Sequence, residues 1–183
     1  MADNLRALVF QAETAAGWGW LSLAASSRGL RFLGLPSPSE EAATRKLRQH
    51  YPEAELQPDD PFLQDIAGQI QTYLAGERRE FVADLDLRGH TTFELSVWAV
   101  TARILYGETR TYGWVGGQVG GGPGVAQAVG AALGNNPVPL IIPCHRVIGS
   151  DGSLHGFAGG LDLKARLLAL ENRQMMFTLA ELE

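Results

Sequence analysis

The chain contains a single cysteine, and the residues around it can support nucleophilic chemistry. Cys144 stands in the string Pro143-Cys144-His145-Arg146, directly after the apolar run 139–142. One cysteine can form neither an internal disulfide nor, by itself, a structural zinc site. His145 and Arg146 place a titratable and a positive group beside the sulfur, a setting that lowers the pKa of a thiol toward the thiolate. Cys144 is therefore either a small core residue or the reactive atom of the protein.

Composition indicates a globular intracellular protein. Hydrophobic residues make up 45% and charged residues 19% of the 183 positions, which supplies enough apolar material for a core and too little charge for disorder. The start of the chain has no basic region followed by an apolar stretch, so no secretory signal is expected. No apolar run is long enough to span a bilayer. We expect a cytoplasmic protein, in a reducing compartment that suits a free thiol.

The first 88 residues are predicted to form a small sheet with helices. Three apolar segments have strand composition, with a turn at 26–29; they are Arg6–Phe10, Trp18–Leu23 and Leu30–Leu35. Residues 39–50 are consistent with a solvated helix. A stronger helix is predicted from the Asp60 cap to the Gly76 stop, with proline at its first position.

The rest of the chain is predicted to be mainly helical. Thr91 or Thr92 can cap a helix that carries Phe93, Val97, Val100 and Ile104 and ends near Gly107. No residue from Thr111 to His145 is Asp, Glu, Lys or Arg. That stretch holds two predicted short helices, one after the Thr111 cap and one starting at Pro123, with glycines 120–122 between them. The pattern indicates a helix-turn-helix, normally a DNA-reading unit, or alternatively a neutral, glycine-rich buried hairpin.

The second of these helices has one apolar face and one face almost without side chains. The apolar stripe recurs every four residues at Val125, Val129 and Leu133. The opposite face carries Gln127, Ala131 and Gly134. Small residues would let the helix backbone approach a narrow groove closely.

Several motifs resemble those of one family at matching spacing. The string 143–147 resembles the active-site string of the O6-alkylguanine-DNA alkyltransferases, also called methylated-DNA–protein-cysteine methyltransferases. Further matches cover roughly residues 89 to 173; they are Thr92-Phe93, Val97-Trp98, Gly107-Glu108-Thr109, Thr111-Tyr112, Ala128-Val129-Gly130, Asn136-Pro137, Gly159-Gly160, Lys164, Leu167-Leu168 and Glu171. We identify the chain as a member of this family.

The resemblance implies a fold and a division into domains. Residues 1–88 would be an α/β supporting domain, a small antiparallel sheet with helices. Residues 89–175 would be a mainly helical catalytic domain with a helix-turn-helix or winged-helix-like DNA-binding motif. Residues 176–183 would be a tail without a catalytic role.

The resemblance also implies a function. The protein would flip O6-alkylguanine, and O4-alkylthymine too, out of duplex DNA. It would then transfer the alkyl group irreversibly to its own cysteine, once per molecule. The implied partner is double-stranded DNA carrying the lesion, and the implied state is a monomer with no cofactor, no metal and no membrane association.

The implied roles fall on named residues. Cys144 would be the nucleophile, His145 the base acting through a water, and Glu171 the group that orients it. Tyr112 would assist base rotation and protonate the leaving guanine, Asn136 would support the turn before the active-site strand, and Lys164 would lie near the site. DNA contacts would come from Thr111, Tyr112, Gln127, Ala128, Gly130 and Ala131. The alkylguanine pocket would be formed by Val147, Phe157, Ala158, Gly159 and Gly160. Arg146 is expected to form a structural ion pair.

The sequence departs from the family pattern in its positive charge and at the pocket. Gln127 stands where the family usually has an arginine that fills the space left by the flipped base. Phe157 and Ala158 replace a tyrosine and a serine. The net charge is −5, with six Lys/Arg against seven Asp/Glu in residues 89–183, so we expect modest, weakly salt-dependent DNA binding.

Two other functions remain as alternatives. A non-catalytic alkyltransferase-like protein would bind the lesion and flag it for another pathway, but such relatives replace the cysteine. A cysteine hydrolase would need a direct contact between Cys144 and His145, and neighbours on an extended segment point in opposite directions.

Overall fold

The computed structural model describes residues 4–12 and 17–180, with side chains through Asn172. It divides into two compact units, Met1–Arg88 and Gly89–Glu183. Of the expected tail 176–183, residues 176–180 continue the last helix, and 181–183 lie outside the described residues. Among the described residues, no helix has both the length and the apolar character needed to cross a membrane.

The amino-terminal unit is a four-stranded sheet with two helices. The strands are β1 (Arg6–Ala12), β2 (Gly19–Ser26), β3 (Gly29–Ser37) and β4 (Glu55–Leu56), in the order β3-β2-β1-β4. β1 pairs antiparallel with β2, and β2 pairs antiparallel with β3 around the turn at 27–28, which confirms the three predicted strands. The short β4 adds one parallel pair, with β1, to this antiparallel sheet. The chain reaches β4 from β3 through an intervening helix, and a crossover of that kind can return it in the parallel direction.

The two helices of this unit each begin after a side-chain cap, the second of them at the predicted Asp60. Helix α1 (Glu40–His50) follows Ser39, whose side chain accepts a hydrogen bond from the Ala42 amide. Helix α2 (Pro61–Ala75) follows Asp60, which caps the Leu63 amide, and ends at Gly76 in the left-handed conformation. Leu47 of α1 packs into a core cluster on the sheet with Ala7, Ala24, Phe32 and Ala54. Both predicted helices are confirmed.

In the second unit, the first helix ends earlier than the sequence predicts. Helix α3 (Thr92–Thr101) starts with a capping box between Thr91 and Glu94, as expected. The predicted end near Gly107 was wrong. The amides of Arg103 and Ile104 bond three residues back instead of four, so the chain leaves the helix in tight turns. Ile104 reaches the core from those turns.

A helix-turn-helix follows, as predicted. Helix α4 (Tyr112–Gln118) is capped by the Thr111 hydroxyl, which accepts from the Trp114 amide. Helix α5 (Val125–Gly134) begins two residues after the predicted start at Pro123. The reason is Gly124, which has φ of 84° and therefore lies in a left-handed turn that no α-helix contains. Two short parallel strands, β5 (Arg110–Thr111) before α4 and β6 (Val147–Ile148) after α5, pair with each other, and helix α6 (Leu161–Ala180) completes the unit.

Glycines allow α4 and α5 to pack closely. A methyl group added at Gly116 would lie 2.1 Å from Val125 Cγ1, and one at Gly121 would lie 2.3 Å from Val125 Cγ2. Valine has no flexible end that could move aside. The contact that fixes the angle between the two helices therefore depends on the absence of side chains at these positions.

Gly116→Ala is expected to lower the free energy of unfolding by about 1–3 kcal/mol, because the added methyl forces α4 away from α5. Gly117→Ala in the same helix is the matched control, since a methyl there meets no atom within 4 Å. Alanine favours the helix, so the control should gain up to about 1 kcal/mol. Urea denaturation of the two variants measures both effects. Equal stability of the two would show that the glycine contact does not limit the packing.

Candidate functional site

Cys144 lies in a tight turn and not on an extended strand. Pro143, with φ −80° and ψ 63°, is the centre of an inverse γ-turn in which the Cys144 amide donates to the Ile142 carbonyl at 2.8 Å. Cys144–Arg146 then form one turn of 3₁₀ helix that leads into the short strand β6 (Val147–Ile148). The expectation of an extended active-site segment was wrong, because proline fixes the backbone into a turn just before the sulfur.

The segment before the cysteine is strained at one residue. Leu140 has φ of 74°, the left-handed region that bulky residues rarely adopt, at a cost of about 1–3 kcal/mol. Its side chain is buried, and the Ile142 amide donates to the Val138 carbonyl across it at 3.0 Å. The surrounding core and this hydrogen bond therefore hold Leu140 in its strained conformation, directly before the turn at Pro143.

Asn136 binds the sulfur directly. Its Nδ2 donates to Cys144 Sγ at 3.2 Å and to the Ile142 carbonyl at 2.8 Å. Its Oδ1 accepts from the Val138 amide at 3.1 Å, which fixes the orientation of the side-chain amide. Asn136 therefore connects the end of α5 to the thiol and supplies the sulfur with a hydrogen-bond donor.

The thiol itself is in a desolvated environment. Cys144 is 8% exposed, and burial raises the pKa of its thiol, while the Asn136 hydrogen bond and the Lys164 charge work in the opposite direction. The sequence-based expectation that His145 and Arg146 lower this pKa was wrong. Both side chains turn to Glu171 instead, so their charges do not reach the sulfur as close neighbours. At neutral pH Cys144 is therefore a neutral thiol.

Glu171 is the centre of a buried hydrogen-bond network. His145 Nε2 lies 2.9 Å from its Oε1, and Arg146 binds it through Nη2 at 2.8 Å and Nε at 3.0 Å. The Gly107 amide donates to Oε2 at 2.9 Å, and Arg146 Nη1 donates to the Ile104 carbonyl at 2.7 Å. The expected structural ion pair of Arg146 is confirmed. Its partner, 25 residues away in the sequence, was not predicted.

The network fixes the protonation state of the histidine. Burial alone raises the pKa of Glu171, but the hydrogen bonds from His145 and Arg146 outweigh it and bring the pKa to about 2. Burial lowers the pKa of His145, against the opposing effect of Glu171. An ionised carboxylate only accepts hydrogen bonds, so Nε2 of a neutral imidazole donates to it. The lone pair is then on Nδ1. In this tautomer Nδ1 is the ring atom that can accept a proton, as a general base must.

Lys164 and Tyr112 form a second polar group. Lys164 is fully buried on α6, and its Nζ donates to the Val147 carbonyl at 2.7 Å, the His155 carbonyl at 2.9 Å and the Tyr112 hydroxyl at 3.3 Å. The Tyr112 hydroxyl donates to the His155 carbonyl at 3.4 Å. Burial, with a smaller effect of Cys144, raises the pKa of Tyr112, so the phenol keeps its proton.

A cavity of about 510 Å³ opens between the helix-turn-helix and the loop after β6. Its volume is in the range of pockets that hold small organic ligands. Helix α4 contributes Tyr112 and Gly113 to the lining, and α5 contributes Ala126, Gln127 and Gly130. The loop contributes Gly149, Ser150, His155 and Gly156.

The structure brings only part of the expected site together around this cavity. Gln127 and Gly130 line it, while Ala128 and Ala131 lie exposed on α5 and Thr111 caps α4. Val147 is buried, with its carbonyl bound by Lys164. The other four expected pocket residues are not among those that line the cavity; they are Phe157, Ala158, Gly159 and Gly160.

The loop residues were missed because no signal in their sequence marks them as a group. Asp151 Oδ1 accepts from the Ser153 hydroxyl at 2.5 Å and the Ser153 amide at 3.0 Å. Ser153 Oγ lies 2.8 Å from His155 Nε2. This chain of bonds over five residues shapes the cavity wall that carries His155. Within residues 4–12 and 17–180, no cluster of His, Cys, Asp or Glu could hold a metal ion.

Two family models together match most of the chain. Residues 4–87 match the 6-O-methylguanine DNA methyltransferase, ribonuclease-like domain, and residues 92–173 match the 6-O-methylguanine DNA methyltransferase, DNA binding domain. The second match contains every residue of the site described above.

Curated relatives give the same result. The inducible methylated-DNA–protein-cysteine methyltransferase of Bacillus subtilis is 39% identical over 151 residues, which is 82% of this chain and 83% of the relative. The methylated-DNA–protein-cysteine methyltransferase of Mycolicibacterium paratuberculosis is 53% identical over 105 residues, 57% of this chain. The match spans 62% of that relative's length.

Solved structures agree with both. The O6-methylguanine methyltransferase of Mycobacterium tuberculosis superposes with a TM-score of 0.76 at 38% identity, covering 93% of this chain and 94% of the other. The OGT of the same organism in complex with DNA gives 0.73 at 38% identity, covering 92% and 94%. The resemblance inferred from the motifs is confirmed, and the chain belongs to the 6-O-methylguanine DNA methyltransferase family.

Proposed function

We propose that this protein repairs O6-alkylguanine in duplex DNA by moving the alkyl group to Cys144 Sγ, once per molecule. The observation that carries the proposal is one buried thiol in the same tight turn as a buried histidine, His145, which bonds the buried Glu171 of α6. The structure of the M. tuberculosis relative in complex with DNA supports DNA as the partner. O4-alkylthymine, with an alkylated oxygen in a comparable position, is the second proposed substrate.

The first step activates the thiol. Burial keeps Cys144 protonated at rest, so the proton leaves only when the substrate is in place. His145 takes it at Nδ1 through a bridging water, and Glu171 stabilises the imidazolium that forms. Asn136 Nδ2, 3.2 Å from the sulfur, stabilises the developing thiolate. Sulfur then attacks the alkyl carbon in line with its bond to O6.

The second step concerns the leaving group. The S–C bond forms as the C–O6 bond breaks, and the departing guanine needs one proton to leave as a neutral base. Tyr112 donates it, since its phenol stays protonated and its hydroxyl accepts from Lys164 Nζ at 3.3 Å. The lysine charge stabilises the transient tyrosinate. His145 then gives up the proton that it took from the thiol, and this proton restores the Tyr112 phenol. The overall change is thiol to thioether and alkylguanine to guanine.

DNA binding and base flipping are assigned to the helix-turn-helix and the cavity. The exposed face of α5 carries small side chains at Ala128 and Ala131, which permit close approach to the minor groove. Gln127 occupies the space left by the flipped base, and Gly130, against the Tyr112 ring, leaves room for the rotating nucleotide. The flipped base enters the cavity beside Tyr112 and Gly130; Val147 and residues 157–160 do not line that cavity and are assigned no contact with the base.

Intact-mass analysis after incubation with duplex DNA containing O6-methylguanine tests the proposal. The protein should gain one methyl group per molecule, and peptide mapping should place it on Cys144. The DNA should contain plain guanine. Binding of the methylated duplex without any mass gain would instead identify a lesion-binding protein, and repeated turnover of a small ester would identify a hydrolase.

Gln127→Arg is expected to strengthen binding to duplex DNA several-fold. An arginine at this cavity-lining position stacks in the vacated space and adds a charge in a region that has none from Thr111 to His145. The slope of log K against log salt should steepen by about one for each added phosphate contact. Methyl transfer should accelerate in duplex DNA more than with the free modified base.

Electrophoretic shift titrations at two salt concentrations and single-turnover rates on both substrates measure these effects. Gln49→Arg, an exposed substitution of the same kind on α1, controls for net charge. If Gln127→Arg binds and reacts like the parent, position 127 does not fill the base stack.

A further inference from the structure

Trp114 places a large aromatic ring on the solvent-facing side of the helix-turn-helix. It is 40% exposed on α4. Gly117 and Gln118, three and four residues later, are exposed on the same face of the helix. A single exposed apolar residue is ordinary and indicates nothing alone. Its setting is less ordinary, because the residue before it, Gly113, lines the cavity.

A cation lies over this ring. The Arg110 guanidinium carbon is 5.4 Å from the centroid of the Trp114 ring. Arg110 is held on β5 (Arg110–Thr111), which pairs with β6 at Val147. Its Nη2 donates to Glu108 Oε2 at 2.8 Å and its Nη1 to the Thr109 carbonyl at 2.9 Å. Stacking and two hydrogen bonds therefore orient the guanidinium before any ligand arrives.

The charge is placed where a phosphate would need it. Arg110 is the last charged residue before the neutral stretch 111–145. A guanidinium has five N–H donors, of which the two hydrogen bonds above use two. In the part of the chain that the structure describes, the three remaining N–H groups of Arg110 are placed to donate to a ligand. Arg110 and Trp114 bracket Tyr112 and Gly113, two residues of the cavity lining.

We propose that Arg110 and Trp114 form a second DNA contact, on the sugar-phosphate backbone beside the flipped nucleotide; this rests on the proposed function. Arg110 binds a phosphate, and Trp114 packs its ring against the adjacent deoxyribose and its base. A planar cation beside an aromatic face matches the alternation of charge and apolar surface along a nucleic-acid strand. The pair supplies the positive charge that Gln127 does not.

Glu108 opposes this contact. Its carboxylate holds Arg110, and because it is negative it would also repel the incoming phosphate. Both Glu108 and Arg110 are more than a third exposed, so a phosphate that approaches Arg110 also approaches this carboxylate. The patch is therefore weakened in the free protein by its own neighbour. Glu108→Gln removes the repulsion and leaves an amide oxygen for Arg110, so this variant should bind DNA more tightly than the parent.

Affinity for an undamaged duplex of mixed sequence, measured over a series of salt concentrations, tests the patch. Arg110→Gln should weaken binding several-fold and reduce the salt slope by about one. Trp114→Ala should weaken binding about tenfold without changing the slope, and Trp114→Phe should retain most of it. Arg45→Gln, an exposed arginine on α1, is the charge-matched control and should change neither quantity.

Transfer from the free O6-methylguanine base separates this proposal from the function on which it rests. All patch variants should methylate Cys144 from the free base at the parental rate, because the base alone does not reach the patch. Parental affinity and slope in Arg110→Gln and Trp114→Ala, with free-base transfer intact, would overturn the patch alone. Failure of the parent protein to accept the methyl group from either substrate would overturn the repair function instead.

Discussion

Cys144→Ala is expected to abolish methyl transfer while leaving binding to O6-methylguanine duplex DNA close to the parental affinity. The sulfur is the only thiol in the chain, so its removal leaves no thiol to accept the methyl group. The alanine keeps the backbone turn, because the γ-turn and the 3₁₀ turn are held by main-chain hydrogen bonds. Asn136 loses its sulfur contact but keeps the Ile142 carbonyl.

Intact-mass analysis over a long incubation measures the loss, and electrophoretic shifts measure binding. Cys144→Ser is the matched control: it keeps a hydrogen-bonding atom next to Asn136 but offers a neutral hydroxyl whose pKa is far above that of a thiol. Both variants should stay unmodified. Methyl transfer that persists in the alanine variant would contradict the assignment of the nucleophile.

Of the residues expected at the site, Tyr112, Gln127 and Gly130 line the cavity, and most element boundaries followed from local chemistry. Asp60, Thr91 and Thr111 were recognisable caps because a short polar side chain bonds an amide only a few residues away. Such interactions are local, so a sequence pattern contains all the information they need.

The electrostatics of the thiol could not be predicted in the same way. Neighbours in sequence suggested that His145 and Arg146 would activate Cys144. The 3₁₀ turn instead directs both to Glu171 on α6, so the charge balance at the sulfur depends on contacts 25 and 26 residues apart. The cavity wall at 149–156 was missed for a related reason, since its shape comes from hydrogen bonds among loop side chains and not from a repeating pattern.

The burial of Cys144 and the hydrogen bonds of Glu171 give the site a definite resting state. Burial keeps both the Cys144 thiol and the His145 imidazole neutral, and the ionised Glu171 carboxylate holds that imidazole in one tautomer. A thiol held in this way resists adventitious alkylation and oxidation, because both reactions require the thiolate. For a protein that reacts once, protection of the sulfur until a substrate is bound preserves its single use.

Glu171→Gln is expected to slow methyl transfer by about 10²–10⁴-fold, the usual contribution of general acid–base catalysis. The amide cannot stabilise an imidazolium, and its NH₂ group can turn toward His145 and reverse the tautomer. His145→Ala should produce a loss of similar size. Lesion binding should change much less, since neither side chain lines the cavity.

The glutamate also has a structural part, which needs its own control. Its carboxylate binds Arg146 and the Gly107 amide, so removing the charge leaves a buried guanidinium unpaired and lowers stability by several kcal/mol, about 3–5. Arg146→Lys disturbs the same pair but leaves the His145–Glu171 contact in place. It should lose stability yet keep methyl transfer within about tenfold of the parent.

The comparison of these variants decides which role of Glu171 dominates. Single-turnover rates, DNA affinity and thermal denaturation are measured for each at a temperature where all are folded. A catalytic role requires that Glu171→Gln and His145→Ala lose rate far beyond Arg146→Lys at comparable stability. If rate falls in proportion to stability in all three, Glu171 acts only by holding the fold. The thiol would then be activated by other groups. The candidates are Asn136 and Lys164, whose hydrogen bond and charge lower the pKa of the thiol against the effect of burial.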